Sequence, residues 1–135
     1  MNRINAKVST IQREDHLTLV SFETEDETLQ MIALDLSPLL QSGSLVTLGI
    51  KATNIILAKE FKGHISISNT PKACIESVSN GALLSSITLL CCNTTMECIT
   101  TLEASKQLSL QANDTVYAMI KASDLSILSI DEEVV

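Results

Sequence analysis

Two lysines in this chain stand in the same short sequence, Ile50-Lys51-Ala52-Thr53 and Ile120-Lys121-Ala122-Ser123. Each follows an apolar run (46–50 and 116–120), and each precedes a small residue, a hydroxyl and a further apolar stretch. A Lys ammonium, a hydroxyl and consecutive backbone N–H groups at a strand junction can all donate hydrogen bonds. Successive N–H groups in a turn form a concave nest, to which the lysine adds a point charge. The chemistry open to such a set is anion binding. One lysine of this kind is usually a solvated charge leaving a strand end; its repetition in register favours a site, with candidates Lys51, Ala52, Thr53, Lys121, Ala122 and Ser123.

Two further segments could supply donors. Ser66-Ile67-Ser68-Asn69 offers three small polar side chains, Ser66, Ser68 and Asn69, before a strand-like stretch. The competing reading is an ordinary turn rich in Ser and Asn. Ile99-Thr100-Thr101 precedes a candidate helical turn, where a threonine serves either as a site donor or as the helix N-cap; spacing alone favours the cap. Nothing supports an enzyme. His16 and His64 have no repeated partner, and the zinc-protease, serine-hydrolase and phosphate-loop patterns are absent. The acidic runs 23–27 and 131–133 read as a solvated hairpin tip and a tail. Cys74, Cys91, Cys92 and Cys98 form no Cys-x-x-Cys pair. They read as buried or strand residues of a reduced protein, with Cys91 and Cys92 pointing to opposite faces of a strand.

The elements that position these residues come in two copies. At a spacing of 67 residues Asn2 falls on Asn69, Ala6 on Ala73, Leu17 on Leu84, Val20 on Ile87 and Ile32 on Ile99. The second half then carries three extra residues, after which Val46 meets Val116 and the two lysine turns coincide. Within each half the apolar residues alternate, as at Ile4/Ala6/Val8, Val20/Phe22, Ile55/Leu57 and Ile65/Ile67, the pattern of half-buried strands. Turn signals lie at 25–27, Ser42-Gly43, 79–81, 93–95 and Asn113-Asp114. A helical turn is expected over 102–108, with 36–40 as its counterpart. The fold class is therefore all-β: two tandem small OB-like barrels, each of about five strands and a short helical turn. The domains are 1–63 and 64–135, divided in the polar run 59–64.

Composition narrows the function. The chain is 135 residues long, 45% hydrophobic but only 2% aromatic, with a formal charge of −7. An OB-fold nucleic-acid binder needs a basic groove and aromatic stacking faces, so that class is disfavoured. No apolar run approaches the roughly 20 residues of a membrane helix, and no signal peptide is visible, so a cytoplasmic protein without a membrane partner is expected. Two units of this size are marginal alone and must pack on each other or on further subunits.

The ordered motifs resemble the molybdate-binding Mop, or TOBE, family. Its features are Ser-x-x-Asn at the start, Ile-Thr before a short helix and Ile-Lys-Ala-Ser/Thr near the end. The two-copy arrangement is similar to a di-Mop protein, a molbindin. The resemblance spans nearly the whole chain and implies OB-like barrels, a homo-oligomer, most often a trimer, and molybdate or tungstate held between units. It carries the start motif onto Ser66, Ser68 and Asn69, the middle threonine onto Thr101, and the lysine turns onto 51–53 and 121–123. Ser68 stands where the family often has Arg, Pro71 where it has Leu, and Ala6 and Ala73 where it has Gly. The first copy begins at Met1-Asn2 without the serines, and Leu34 occupies the place of Thr101. On this reading the Lys121 turn has partners in its own copy, whereas the Lys51 turn needs a neighbouring chain. The implied function is molybdate or tungstate binding for storage, homeostasis or sensing. The alternative is a ligand-responsive module that regulates a molybdate transporter or regulator.

Overall fold

The computed structural model describes residues 1–131, so Glu132 and Glu133 of the acidic tail lie outside the described residues. Each repeat supplies five strands. The first gives β1 (Asn2–Glu14), β2 (Leu17–Glu23), β3 (Thr28–Leu34), β4 (Leu45–Ile50) and β5 (Ile56–Ala58). The second gives β6 (Lys72–Asn80), β7 (Leu84–Cys91), β8 (Thr94–Thr101), β9 (Thr115–Met119) and β10 (Ser126–Asp131), with the helix α1 (Leu102–Gln107) between β8 and β9. A single 3-10 turn follows each lysine, at Ala52–Asn54 and Ala122–Asp124.

The strands assemble into two five-stranded antiparallel sheets, ordered β10-β4-β1-β2-β3 and β5-β9-β6-β7-β8. The strand after each lysine turn thus leaves its own repeat. Ile56, Leu57 and Ala58 pair with Met119, Ala118 and Tyr117, while β10 runs beside β4. The 63/64 boundary divides the repeats along the chain but not the sheets, each of which borrows its edge strand from the other repeat. This exchange ties two marginal units into one body, and it removes a free edge from β4 and from β9.

One long strand serves two neighbours in each unit because it is kinked. β1 pairs with β4 over Asn2–Lys7 and with β2 over Lys7–Glu14, its register slipping between Val8 and Thr10. β6 slips at the equivalent place, between Ile75 and Ser77. A bulge bends its strand and increases the local twist, which lets five short strands curl towards a barrel. The alternating residues then fill the interior: Ile4, Val8, Val20, Phe22, Leu29, Met31 and Leu48 in one unit, Ile75, Ile87, Leu89, Met96, Ala118 and Ile120 in the other, each at most 1% exposed. In β2 the inward face is Thr18/Val20/Phe22, which leaves Leu17 44% exposed.

Four local expectations are corrected. Ile65 and Ile67 do not form a strand; 59–68 is irregular, and these side chains line a hollow beside Tyr117 and Met119 instead. The first repeat has no helix at 36–40. Pro38 and Leu39 make a turn closed by Leu40 N–H to the Ser37 carbonyl, because this copy is three residues shorter and has Leu34 where Thr101 caps α1. The β7–β8 turn is centred on Cys92 and Asn93, both at positive φ, with Thr94 and Thr95 already in β8. Cys91 and Cys92 consequently do not point to opposite faces: strand geometry ends at Cys91, and their sulfurs lie 3.7 Å apart.

Candidate functional site

Both lysine turns are built alike. Lys51 has φ −72° and ψ 139°, Lys121 −66° and 142°, so each is extended and turns the chain out of its strand. The Lys51 carbonyl accepts from Asn54 N–H and the Lys121 carbonyl from Asp124 N–H, both at 2.9 Å. That bond closes one 3-10 turn, and the N–H groups of Ala52 and Thr53, or Ala122 and Ser123, precede the first bonded donor. Such groups have no partner inside the turn. Both lysines and both hydroxyl residues are exposed, and Ile55 and Leu125 anchor the turns in the core at 3% and 4% exposure. The arrangement presents a cation, a hydroxyl and free N–H donors on a rigid junction, which suits an acceptor-only anion.

The exchange decides what each turn faces. The Ala52–Asn54 turn packs on β8 of the second repeat, and the Ala122–Asp124 turn packs on β3 of the first. The sulfur of Cys98, in β8, reaches the Ile55 carbonyl at 3.3 Å. Thr101 ends β8, the strand that packs on the Lys51 turn, whereas the sequence reading grouped it with Lys121. Leu34 ends β3 on the Lys121 side. Thr101 also acts as the N-cap of α1, its Oγ1 accepting from Ala104 N–H at 3.1 Å. The capping alternative is the one the fold uses.

Ser66, Ser68 and Asn69 approach the other turn. Asn69 bridges to Ile120, the residue before Lys121, with Ile120 N–H donating to the Asn69 carbonyl at 2.9 Å. This brings the segment ending in Ser68 to the Lys121 side, with Ser66 and Ser68 exposed. The Asn69 side chain itself is 1% exposed. Its Oδ1 accepts from Gln30 N–H at 2.7 Å and its Nδ2 donates to the Gln30 carbonyl at 2.9 Å. Asn2 grips Glu97 in the same way, at 2.9 and 2.7 Å. The two asparagines are staples between the repeats, each using one acceptor and one donor of its carboxamide on the other repeat. Repeat symmetry held the signal for this, since Gln30 and Glu97 are themselves 67 residues apart.

Charge differs between the turns. The Lys121 turn carries Asp124 where the Lys51 turn has Asn54, while the strand beside Lys51 carries Glu97 where the other has Gln30. Among the described residues no group of three or more His, Cys, Asp or Glu side chains could hold a metal ion, and no helix is long and apolar enough to cross a membrane.

The tandem OB-like architecture with exchanged edge strands is a fold class shared with a solved structure. The cytoplasmic molybdate-binding protein ModG, in a crystal form with molybdate bound, superposes with a TM-score of 0.85 at 23% identity, over 93% of this chain and 94% of that one. The two chains share their fold. No family model matches the sequence, and no curated protein matches it.

Proposed function

We propose that this chain is a cytoplasmic binding protein for molybdate or tungstate, acting in storage, homeostasis or sensing, with no catalytic role. The observation that carries the reading is the pair of exposed lysine turns at equivalent crossovers of a fold shared with a molybdate-binding protein. Molybdate is a tetrahedral dianion that only accepts hydrogen bonds. A site made of N–H, hydroxyl and ammonium donors suits it and penalises monoprotonated phosphate, whose proton would lack an acceptor. Sulfate also only accepts, so cavity size must exclude it. The net charge of −7 acts over distances that salt screens, whereas a local donor nest does not depend on it.

The sites are completed between subunits of a homo-oligomer, a trimer in this reading. Asn69 ties the segment of Ser66 and Ser68 to the strand before Lys121, and Thr101 ends the strand that packs on the Lys51 turn, a division of the donor set that supports sites completed by a second subunit. Apolar residues are also left outside: Leu34, Leu39 and Leu83 are 68%, 78% and 81% exposed. Large exposed aliphatic side chains of this kind mark association surfaces when they are contiguous.

Calorimetric titration with molybdate, tungstate, sulfate and phosphate, paired with native mass spectrometry of the complex, tests the reading. Heat with the first two alone, on an oligomer, supports it. Silence with molybdate and tungstate ends it, and a ligand-binding monomer removes the inter-subunit part.

A further inference from the structure

The four cysteines all lie in the second repeat; the first has Lys7, Thr24, Glu25 and Met31 at the equivalent positions. They are not alike. Cys98 is fully buried, and burial first, then Glu97, pushes its thiol up to about 11. Cys74 is exposed on β6. Cys91 and Cys92 are a pair: Cys91 closes β7, Cys92 opens the hairpin turn, and their sulfurs are 3.7 Å apart.

Three features set this pair apart. Cys92 sits at φ +52° and Asn93 at +58°, the conformation of a two-residue hairpin turn that ordinarily recruits Gly, Asn or Asp. A cysteine there is held in a sparsely populated conformation, and that turn brings its sulfur beside the preceding one. Both cysteines line a cavity of about 300 Å³, shared with Cys74, Lys72 and Asp26, with Cys92 at its partly exposed rim and Cys91 buried behind it. Finally, the two thiols are unequal. The hydrogen bond between them is the largest influence on each, raising Cys91 and lowering Cys92; burial raises both, and Glu27 opposes the lowering of Cys92 without cancelling it. Cys92 is thus the more acidic thiol of the pair.

The sulfur spacing selects the chemistry. A disulfide requires about 2.05 Å between sulfurs, so closing one here demands a large local movement. One soft atom bonded to both sulfurs at about 2.3 Å, the length of a zinc–thiolate bond, spans roughly 3.5 Å. With only two sulfurs, the pair suits an atom that needs two thiolates and brings its own remaining substituent. We propose that Cys91 and Cys92 form a chelating dithiol site for trivalent arsenicals, separate from the lysine turns. For a monosubstituted arsenical oxide the step balances without any oxidant. Two arsenic–sulfur bonds form, the bonds from arsenic to its oxygen break, and both thiol protons leave with that oxygen as one water. Neither arsenic nor sulfur changes oxidation state.

Phenylarsine oxide is the probe. The reduced full-length protein is titrated, free thiols are counted and intact mass is read. The expected result is one phenylarsenic adduct per chain and the loss of two of the four thiols, reversed by excess small dithiol but not by monothiol. Cys92→Ser is expected to abolish the adduct. Cys74→Ser and Cys98→Ser are expected to leave it unchanged. Cys91→Ser should also abolish it, and circular dichroism checks that this buried variant folds; the turn variant Cys92→Ser carries the test if it does not. Four free thiols after titration would overturn the assignment. An adduct retained in Cys92→Ser, or one lost in Cys74→Ser, would overturn it equally.

Discussion

Gly49 lies directly beneath Leu128: a Cβ placed on Gly49 would stand 2.8 Å from Leu128 Cγ. The two residues belong to different repeats and meet because β10 has crossed to β4, with Ser126 opposite Gly49 and the register slipping at Leu128. In the other sheet the equivalent positions are Met119 and Ala58. Large and small are interchanged, so each crossing strand matches the sheet it joins.

This relationship yields a coupled prediction. Gly49→Ala should be close to neutral. Relieving glycine's chain entropy contributes about 0.4–1 kcal/mol, and Leu128, 38% exposed, can swing away at a similar loss. Gly49→Met, which copies the second repeat, should destabilise by about 1–3 kcal/mol through overpacking. Adding Leu128→Ala should recover most of that. Urea unfolding of the four proteins in the cycle measures the coupling, and additive effects would show that the two residues do not select the exchange.

Asn69 and Asn2 test the staples. Asn69→Ala leaves the main-chain N–H and carbonyl of Gln30 without partners in a part-buried setting, and should cost about 1–3 kcal/mol. Asn2→Ala should cost less, since its bonds to Glu97 are exposed and water replaces them. Denaturant midpoints of the two variants give the comparison; an Asn2 loss as large as that of Asn69 would contradict the role of burial.

The lysine turns separate binding from folding. Lys51→Ala and Lys121→Ala remove exposed side chains, so thermal midpoints should stay put. A hydrogen bond from a charged donor contributes about 1.5–3 kcal/mol, so molybdate affinity should fall roughly 10- to 100-fold in each variant. Calorimetry reads both. An unchanged affinity in both would remove the lysines from the site.

Acid stability should report on Lys59. Its Nζ lies 3.0 Å from Asp114 Oδ2 and donates to the Ser109 carbonyl, also at 3.0 Å, which fastens the end of β5 to the repeat it joins. The hydrogen bond from Lys59 is the main cause that holds the Asp114 carboxyl below its ordinary 3.8. A native-state value depressed in this way stabilises the fold above 3.8, and the contribution is lost as pH falls below it through the native value. Lys59→Met should therefore lower the thermal midpoint at neutral pH, and the gap to the parent should narrow as the solution is taken to about pH 3. A gap independent of pH would assign the effect to packing alone.

The duplication, the all-β class and the position of every lysine turn were legible in the sequence, because alternation of period two and repetition in register are local properties. The helix at 102–107 was legible too, through Thr101 and its capping spacing. What each turn faces was not. The sequence grouped Thr101, Asn69 and Lys121 because they share a repeat, yet strand crossing puts Thr101 on the strand against the Lys51 turn and spends the Asn69 carboxamide on Gln30. Pairing partners are chosen by complementary size at sites far apart in the chain, such as Gly49 and Leu128, and neither residue announces the other. Ile65 and Ile67 alternated like a strand but pair with none, and β5 rather than this segment occupies the flank of β9. The lysine turns were fixed by local sequence, whereas their surroundings were set only when the two repeats exchanged their last strands.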